Sequence, residues 1–119
     1  VNKKKKARPL TPGRIARRLL AFYNNDPKRW TQGTDARTAD GWPVYVRSPE
    51  AACFCANGAI GAILAESFDR FNPEYFSYWA TVTVTLGKAV PGGHLQSWND
   101  GCKDFNQFKK TLLKIARTP

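Results

Sequence analysis

From Ala51 to Ala65 the chain reads Ala-Ala-Cys-Phe-Cys-Ala-Asn-Gly-Ala-Ile-Gly-Ala-Ile-Leu-Ala, without one charged side chain. Small and apolar residues at this density belong inside a packed core rather than on a solvated surface. Ser48-Pro49-Glu50 just before it is a cap-plus-proline start, so the pattern predicts a central core helix over 51–71. Gly58 and Gly61 inside such a helix each cost roughly 1 kcal/mol against alanine. Close approach of another backbone is the expected compensation, with Ala52, Cys55, Ala59 and Ala62 forming the tightly packed face. Asn57-Gly58 is where such a helix would break.

A core built around that segment has to be a modest one. The 119 residues fit a single domain, which at this length buries about two-thirds of its unfolded surface. With 42% apolar and 13% aromatic residues the chain is too hydrophobic for a disordered polyelectrolyte. Its apolar runs fall short of the ~20 residues that span a bilayer, so no membrane partner is expected. No apolar stretch directly follows the basic start, which argues against a secretory signal. Three cysteines cannot all pair with one another, and reduced thiols in a cytoplasm are expected.

Charge is distributed unevenly. Residues 1–50 carry 12 Lys and Arg against 4 Asp and Glu, whereas residues 51–119 carry 7 against 5. Much of the excess is the run Lys3, Lys4, Lys5, Lys6 with Arg8, which repels itself and cannot enter a core. The chain therefore divides into a basic flexible arm, 1–10, and a single globular helical domain, 11–119. Positive charge continues into the ordered sequence at Arg14, Arg17, Arg18, Lys28 and Arg29. A basic arm joined to a basic face is the electrostatic footprint of a nucleic-acid partner, DNA or RNA, or of an acidic protein. The plainer alternative for the lysine run is a solubilising tail.

Thr11-Pro12 marks the start of a first helix, in which Ile15, Leu19, Phe22 and Tyr23 recur at helical spacing. Asn24-Asn25-Asp26-Pro27 should end it. Residues 30–47 hold no helical period; Asp40-Gly41 and Val44-Tyr45-Val46 suggest a small β-hairpin or an ordered loop. Asn72-Pro73-Glu74 opens a third helix, although Thr81-Val82-Thr83-Val84-Thr85-Leu86 alternates like a strand; the start signal favours helix. Pro91-Gly92-Gly93 ends that element. Asp104 with Gln107 opens a last helix whose apolar face is Phe105, Phe108, Leu112, Ile115 and Ala116. Lys109, Lys110, Lys114 and Arg117 fall mostly on its other side. The fold class is mainly α, a compact bundle of about four helices with the small hairpin or loop after helix 1. Its core should include Ile15, Leu19, Phe22, Phe54, Ile60, Ile63, Leu64, Trp79, Leu86, Phe108, Leu112 and Ile115.

Three landmarks occur in order: Trp30-Thr31-Gln32-Gly33, Cys55-Ala56-Asn57-Gly58-Ala59 and Trp98-Asn99-Asp100. Over roughly residues 12–117 this pattern resembles a family of small bacterial and phage proteins of unknown function. The resemblance implies a mainly helical fold and supports helix over 74–90. It also implies a phage or mobile-element origin, and with it host-directed or counter-defence roles. It brings no activity. The lysine arm, Cys53, His94 and Cys102 lie outside the pattern.

Several constellations bear on chemistry. Gln32, Cys55, His94 and Asn99 follow the order oxyanion donor, nucleophile, base and orienter of papain-like cysteine hydrolases. A small buried cysteine against Gly58 is the favoured reading, since Cys55 falls inside the expected helix. Cys53, Cys55, His94 and Cys102 are zinc-ligand types, but Cys-x-Cys on a helix points its sulfurs about 200° apart. No metal and no cofactor are expected. Trp98 should fill a core slot while Asn99 and Asp100 bond the turn before the last helix. The other reading makes Trp30, Gln32, Trp98, Asn99 and Asp100 a ligand or partner site. The expected function is a non-enzymatic protein that binds an anionic partner, nucleic acid first, with weak sequence preference. Its contacts would be Lys3, Lys4, Lys5, Lys6, Arg8, Arg14, Arg17, Arg18, Lys28 and Arg29. A phage-encoded counter-defence protein that binds a host protein or sequesters a nucleotide is the alternative, and a Cys55-dependent hydrolase the third.

Overall fold

The computed structural model describes residues 10–69 and 72–119. Helix α1, Pro12–Tyr23, starts where the Thr-Pro pair puts it: the Thr11 hydroxyl accepts from the Arg14 amide at 3.3 Å. It stops at Asn24, whose N–H still bonds the Leu20 carbonyl at 3.1 Å and whose left-handed backbone (φ 50°) turns the chain out of the helix. Ile15, Ala16, Leu19 and Tyr23 form the buried face. One 3-10 turn, Pro27–Arg29, follows.

The uncharged segment takes a different form from the expected one. Strand β1, Ala36–Arg37, pairs antiparallel with strand β2, Cys53–Phe54, and helix α2 spans only Ala56–Ala65. The backbone of 52–55 cannot curl because the 23–37 region holds it. Ala52 N–H donates to the Arg37 carbonyl and Cys55 N–H to that of Asp35, while the Phe54 carbonyl accepts from Thr31 N–H and the Tyr23 hydroxyl. Ser48-Pro49-Glu50 is a turn rather than a helix start, its Ser48 hydroxyl accepting from the Glu50 amide at 3.2 Å. The cap is Cys55, whose sulfur accepts from the Gly58 amide at 3.3 Å. Asn57-Gly58 therefore lies in the first turn of α2 and does not break it. Gly58 admits a backbone, as expected: a Cβ there would stand 1.8 Å from the Asp35 carbonyl oxygen. Gly61 admits an indole instead, with the Trp79 ring 2.4 Å from the same kind of position.

Val44-Tyr45-Val46 forms no strand; Val44 N–H bonds the Ala36 carbonyl, and Pro43 makes an isolated bridge to Arg37 across the Asp40-Gly41 turn. Helix α3, Pro73–Gly87, resolves the ambiguous stretch as helix, with the Asn72 side chain capping the Glu74 amide at 2.9 Å. Its alternating threonines serve the helix: Thr81 and Thr85 hydroxyls donate to carbonyls four residues back. A short helix α4, Leu95–Gly101, occupies what sequence suggested was only a turn, with the His94 ring as cap. Helix α5, Phe105–Ala116, begins at Asp104, which accepts from the Gln107 amide at 2.9 Å. Among the described residues the bundle thus has five helices, the short α4 being the one added to the expected mainly α bundle of about four.

Helices α1 and α5 lie antiparallel. Arg17 at one end donates to the Ala116 and Thr118 carbonyls, and Lys109 at the other reaches Asn25. Between them and α2–α4 sits the core, including Ile15, Leu19, Phe54, Ile60, Leu86, Phe108, Leu112 and Ile115. Phe22, Ile63, Leu64 and Trp79, also expected there, are half-buried at its edge. Tyr23 and Tyr75 are fully buried, their hydroxyls bonded at 2.8 Å to the carbonyls of Phe54 and Gly61. Among the described residues no helix is long and apolar enough to cross a membrane.

Candidate functional site

The three landmark segments meet at Asn99, a fully buried polar side chain. Its Oδ1 accepts from Trp30 Nε1 and from the Ala56 amide, both at 2.9 Å. Its Nδ2 donates to the Thr31 carbonyl at 3.2 Å and to Asp100 Oδ1 at 3.1 Å. A side-chain amide has two donors and two acceptor positions, so this one is fully engaged. Gln32 Nε2 points at the end of α4, 2.8–3.2 Å from the Asn99, Asp100 and Cys102 carbonyls, where the helix's own bonding runs out. Gly33, with φ 84°, turns its amide to Asp100 Oδ1 at 2.9 Å. Burial alone would raise the Asp100 carboxyl, but hydrogen bonds from Gly33, Asn99 and Gln96 outweigh it and hold it below its ordinary value. Trp98 is buried and stacks on Phe108 at 5.0 Å, and Trp30 leans on the same ring at 5.2 Å. Trp30, Gln32, Trp98, Asn99 and Asp100 therefore form one cluster, an internal clasp that ties α4 to residues 30–33 and to the start of α2.

Cys55 lies beside the clasp. Its sulfur is 3.7 Å from Asp35 Oδ1 and 3.7 Å from Gln96 Oε1. A helix start lowers a thiol's pKa, but here burial dominates, reinforced by the Asp35 carboxylate, and pushes Cys55 up to about 12. The thiolate that a nucleophile needs is thus disfavoured. The other members of the hydrolase order have separate engagements: His94 Nδ1 with Ser97, Gln32 with α4, and Asn99 in the clasp. Among the described residues no group of three or more His, Cys, Asp or Glu is placed to hold a metal ion, so Cys53, Cys55, His94 and Cys102 are not gathered.

The three thiols are all free, and they should react unequally. Cys53 is half-buried, whereas burial pushes Cys102 to about 11 and Cys55 to about 12. Iodoacetamide at pH 8 should label Cys53 first in the folded protein, and peptide mass spectrometry reads the order. Rapid labelling of Cys55 would restore it as a nucleophile. Because both buried thiols keep their protons when the unfolded chain loses its own near pH 9, stability should fall as pH rises from about 9 towards 12.

Basic residues form the second feature. Arg14 and Arg18 lie four apart on α1, and Phe22 continues the row; Arg29 stands over the Phe22 ring at 4.7 Å and donates to the Phe22 carbonyl at 3.0 Å. Arg14, Arg18 and Phe22 thus follow one side of α1, each step rising about 6 Å along the axis, and Arg29 joins the row where it covers Phe22. Lys28 is exposed beside Arg29. Arg17 turns away to cap α5. Along the row, α1, α2 and α3 frame an open groove of about 400 Å³. Ile15, Leu19, Ile60, Ile63, Leu64 and Val82 line it with Leu10 and Tyr78, and among the described residues its charged lining is Arg14, Arg17 and Arg18. Lys3, Lys4, Lys5, Lys6 and Arg8 lie outside the described residues, in the segment that leads into Leu10. Sequence reasoning missed Leu10 and Tyr78, since only the convergence of three helices makes the groove. It noted Lys110, Lys114 and Arg117 on the outer side of α5, where they are exposed, without assigning them to a site.

No curated protein and no solved structure matches the chain. A family model described as a family of unknown function (DUF6197) matches residues 10–107. That span contains all three landmarks, the arginine row and the helices that frame the groove. The chain belongs to that family, DUF6197.

Proposed function

We propose that this chain is a non-enzymatic nucleic-acid-binding protein that grips phosphates with little regard to sequence. The observation that carries the reading is the row Arg14, Arg18 and Arg29, beside a groove whose charged lining is all arginine and whose end, Leu10, adjoins the lysine run. Guanidinium groups bind phosphate oxygens in two-pronged fashion, and the rigid helix fixes the spacing of Arg14 and Arg18 while the lysine run adds charge. Such contacts position a polymer and leave its bases unread. Among the described residues that line the groove there is no cysteine, histidine or carboxylate, and this reading assigns no catalytic residue.

Binding by counterion release has a steep salt signature. With six or more phosphates engaged, affinity for labelled DNA or RNA should fall roughly a thousandfold or more between 50 and 200 mM salt. Deleting residues 1–8 removes five cations and should both weaken binding and flatten the salt slope. Arg18→Ala should weaken binding to all sequences alike. Absence of binding at 50 mM salt would overturn the reading and direct attention to an acidic host protein or a nucleotide, the counter-defence alternative.

A further inference from the structure

We infer that the groove beside the arginine row receives an unpaired nucleobase, which makes single strands the preferred polymer; this rests on the nucleic-acid reading above. The groove joins an apolar floor to a cationic rim, and among the described residues no carboxylate lines it. That combination suits a ligand with a flat apolar body and a negative backbone. Its volume of about 400 Å³ falls within the roughly 300–1,000 Å³ of small-molecule sites. A strand running along Arg14 and Arg18 would have its bases within reach of Tyr78 and Ile63. Tyr78 is 44% exposed, and its ring leans on Phe68 at 5.9 Å, which leaves an aromatic surface at the groove. Every base has a face that can stack on such a ring, so the contact tolerates any sequence. Among the described residues, no polar side chain apart from the arginines and the Tyr78 hydroxyl lines the groove to read base edges. Duplex bases are already stacked and paired, and extracting one costs energy that a single strand does not require.

The test compares three ligands of equal length at 50 mM salt on the full chain: a single strand, the matching duplex, and an abasic single strand. The base-bearing strand should bind about five- to a hundredfold more tightly than the abasic one, the range that loss of one stacked base produces. Tyr78→Ala should remove most of that difference while leaving the salt slope intact, and Tyr78→Phe should preserve it. Equal affinity for base-bearing and abasic strands, or tighter binding of duplex, would overturn the groove while sparing the phosphate reading. Failure of all three ligands to bind would overturn both. The abasic comparison needs no substitution, so a folding defect in Tyr78→Ala cannot mask the outcome.

Discussion

Asn99→Ala is expected to cost about 3–5 kcal/mol, a large part of the roughly 5–15 kcal/mol that holds a domain of this size together. The substitution strands three groups at once: Trp30 Nε1, the Ala56 amide and the Thr31 carbonyl. Each buried polar group left without a partner costs about 1–3 kcal/mol. Asn99→Asp should fare no better, because a buried carboxylate would face the Thr31 carbonyl and the Asp100 carboxylate where a donor now stands. Urea titration of the wild type and both variants checks the effect. A loss under about 1 kcal/mol would mean that Asn99 is not a keystone. Trp30, Gln32 and Asn99 would then return as candidates for contact with a ligand or partner.

The clasp also shows where reading from the sequence stops. Trp30-Thr31-Gln32-Gly33 and Trp98-Asn99-Asp100 stand out as motifs, and the structural reading of Trp98 as a core residue holds. Their partnership does not show in any local spacing, since the bonds join residues 67–70 apart in sequence. Helix starts that rest on local chemistry were legible: Thr11-Pro12, Asn72-Pro73 and Asp104 each cap a helix. α4 escaped notice because its cap is the ring of His94, outside the usual capping set. Of the candidate site, the charges on α1 were legible residue by residue. The groove they border was not, because its walls come from three helices separated in the chain. The start of α2 was placed too early for a related reason. Residues 51–55 have helix-compatible composition, and only the distant segment at 31–37 draws them into an extended form.

That competition makes Gly58→Ala the second decisive substitution. On helix propensity alone alanine would gain about 1 kcal/mol over glycine. Here its Cβ would stand 1.8 Å from the Asp35 carbonyl oxygen and 2.6 Å from the carbonyl carbon, and backbone cannot swing aside as a side-chain tip can. Asp35 is held from two directions, its carbonyl by the Cys55 amide at 3.2 Å and its carboxylate by Asn57 Nδ2 at 3.0 Å. Relief therefore requires the 31–37 segment to leave α2, which breaks the β1–β2 pairing and loosens the clasp beside it. The expected cost exceeds about 3 kcal/mol, with outright failure to fold as its extreme form. Gly101→Ala is the matched control: nothing lies within 4 Å of its added carbon, so stability should hold or rise by up to about 1 kcal/mol. Melting curves of the two variants separate the alternatives. If Gly58→Ala melts with Gly101→Ala, Asp35 does not cross α2 at this point. Residues 51–55 would then be free to extend the helix, as their composition alone suggests. A loss confined to Gly58→Ala would mean that a long-range contact, rather than local propensity, sets where α2 begins.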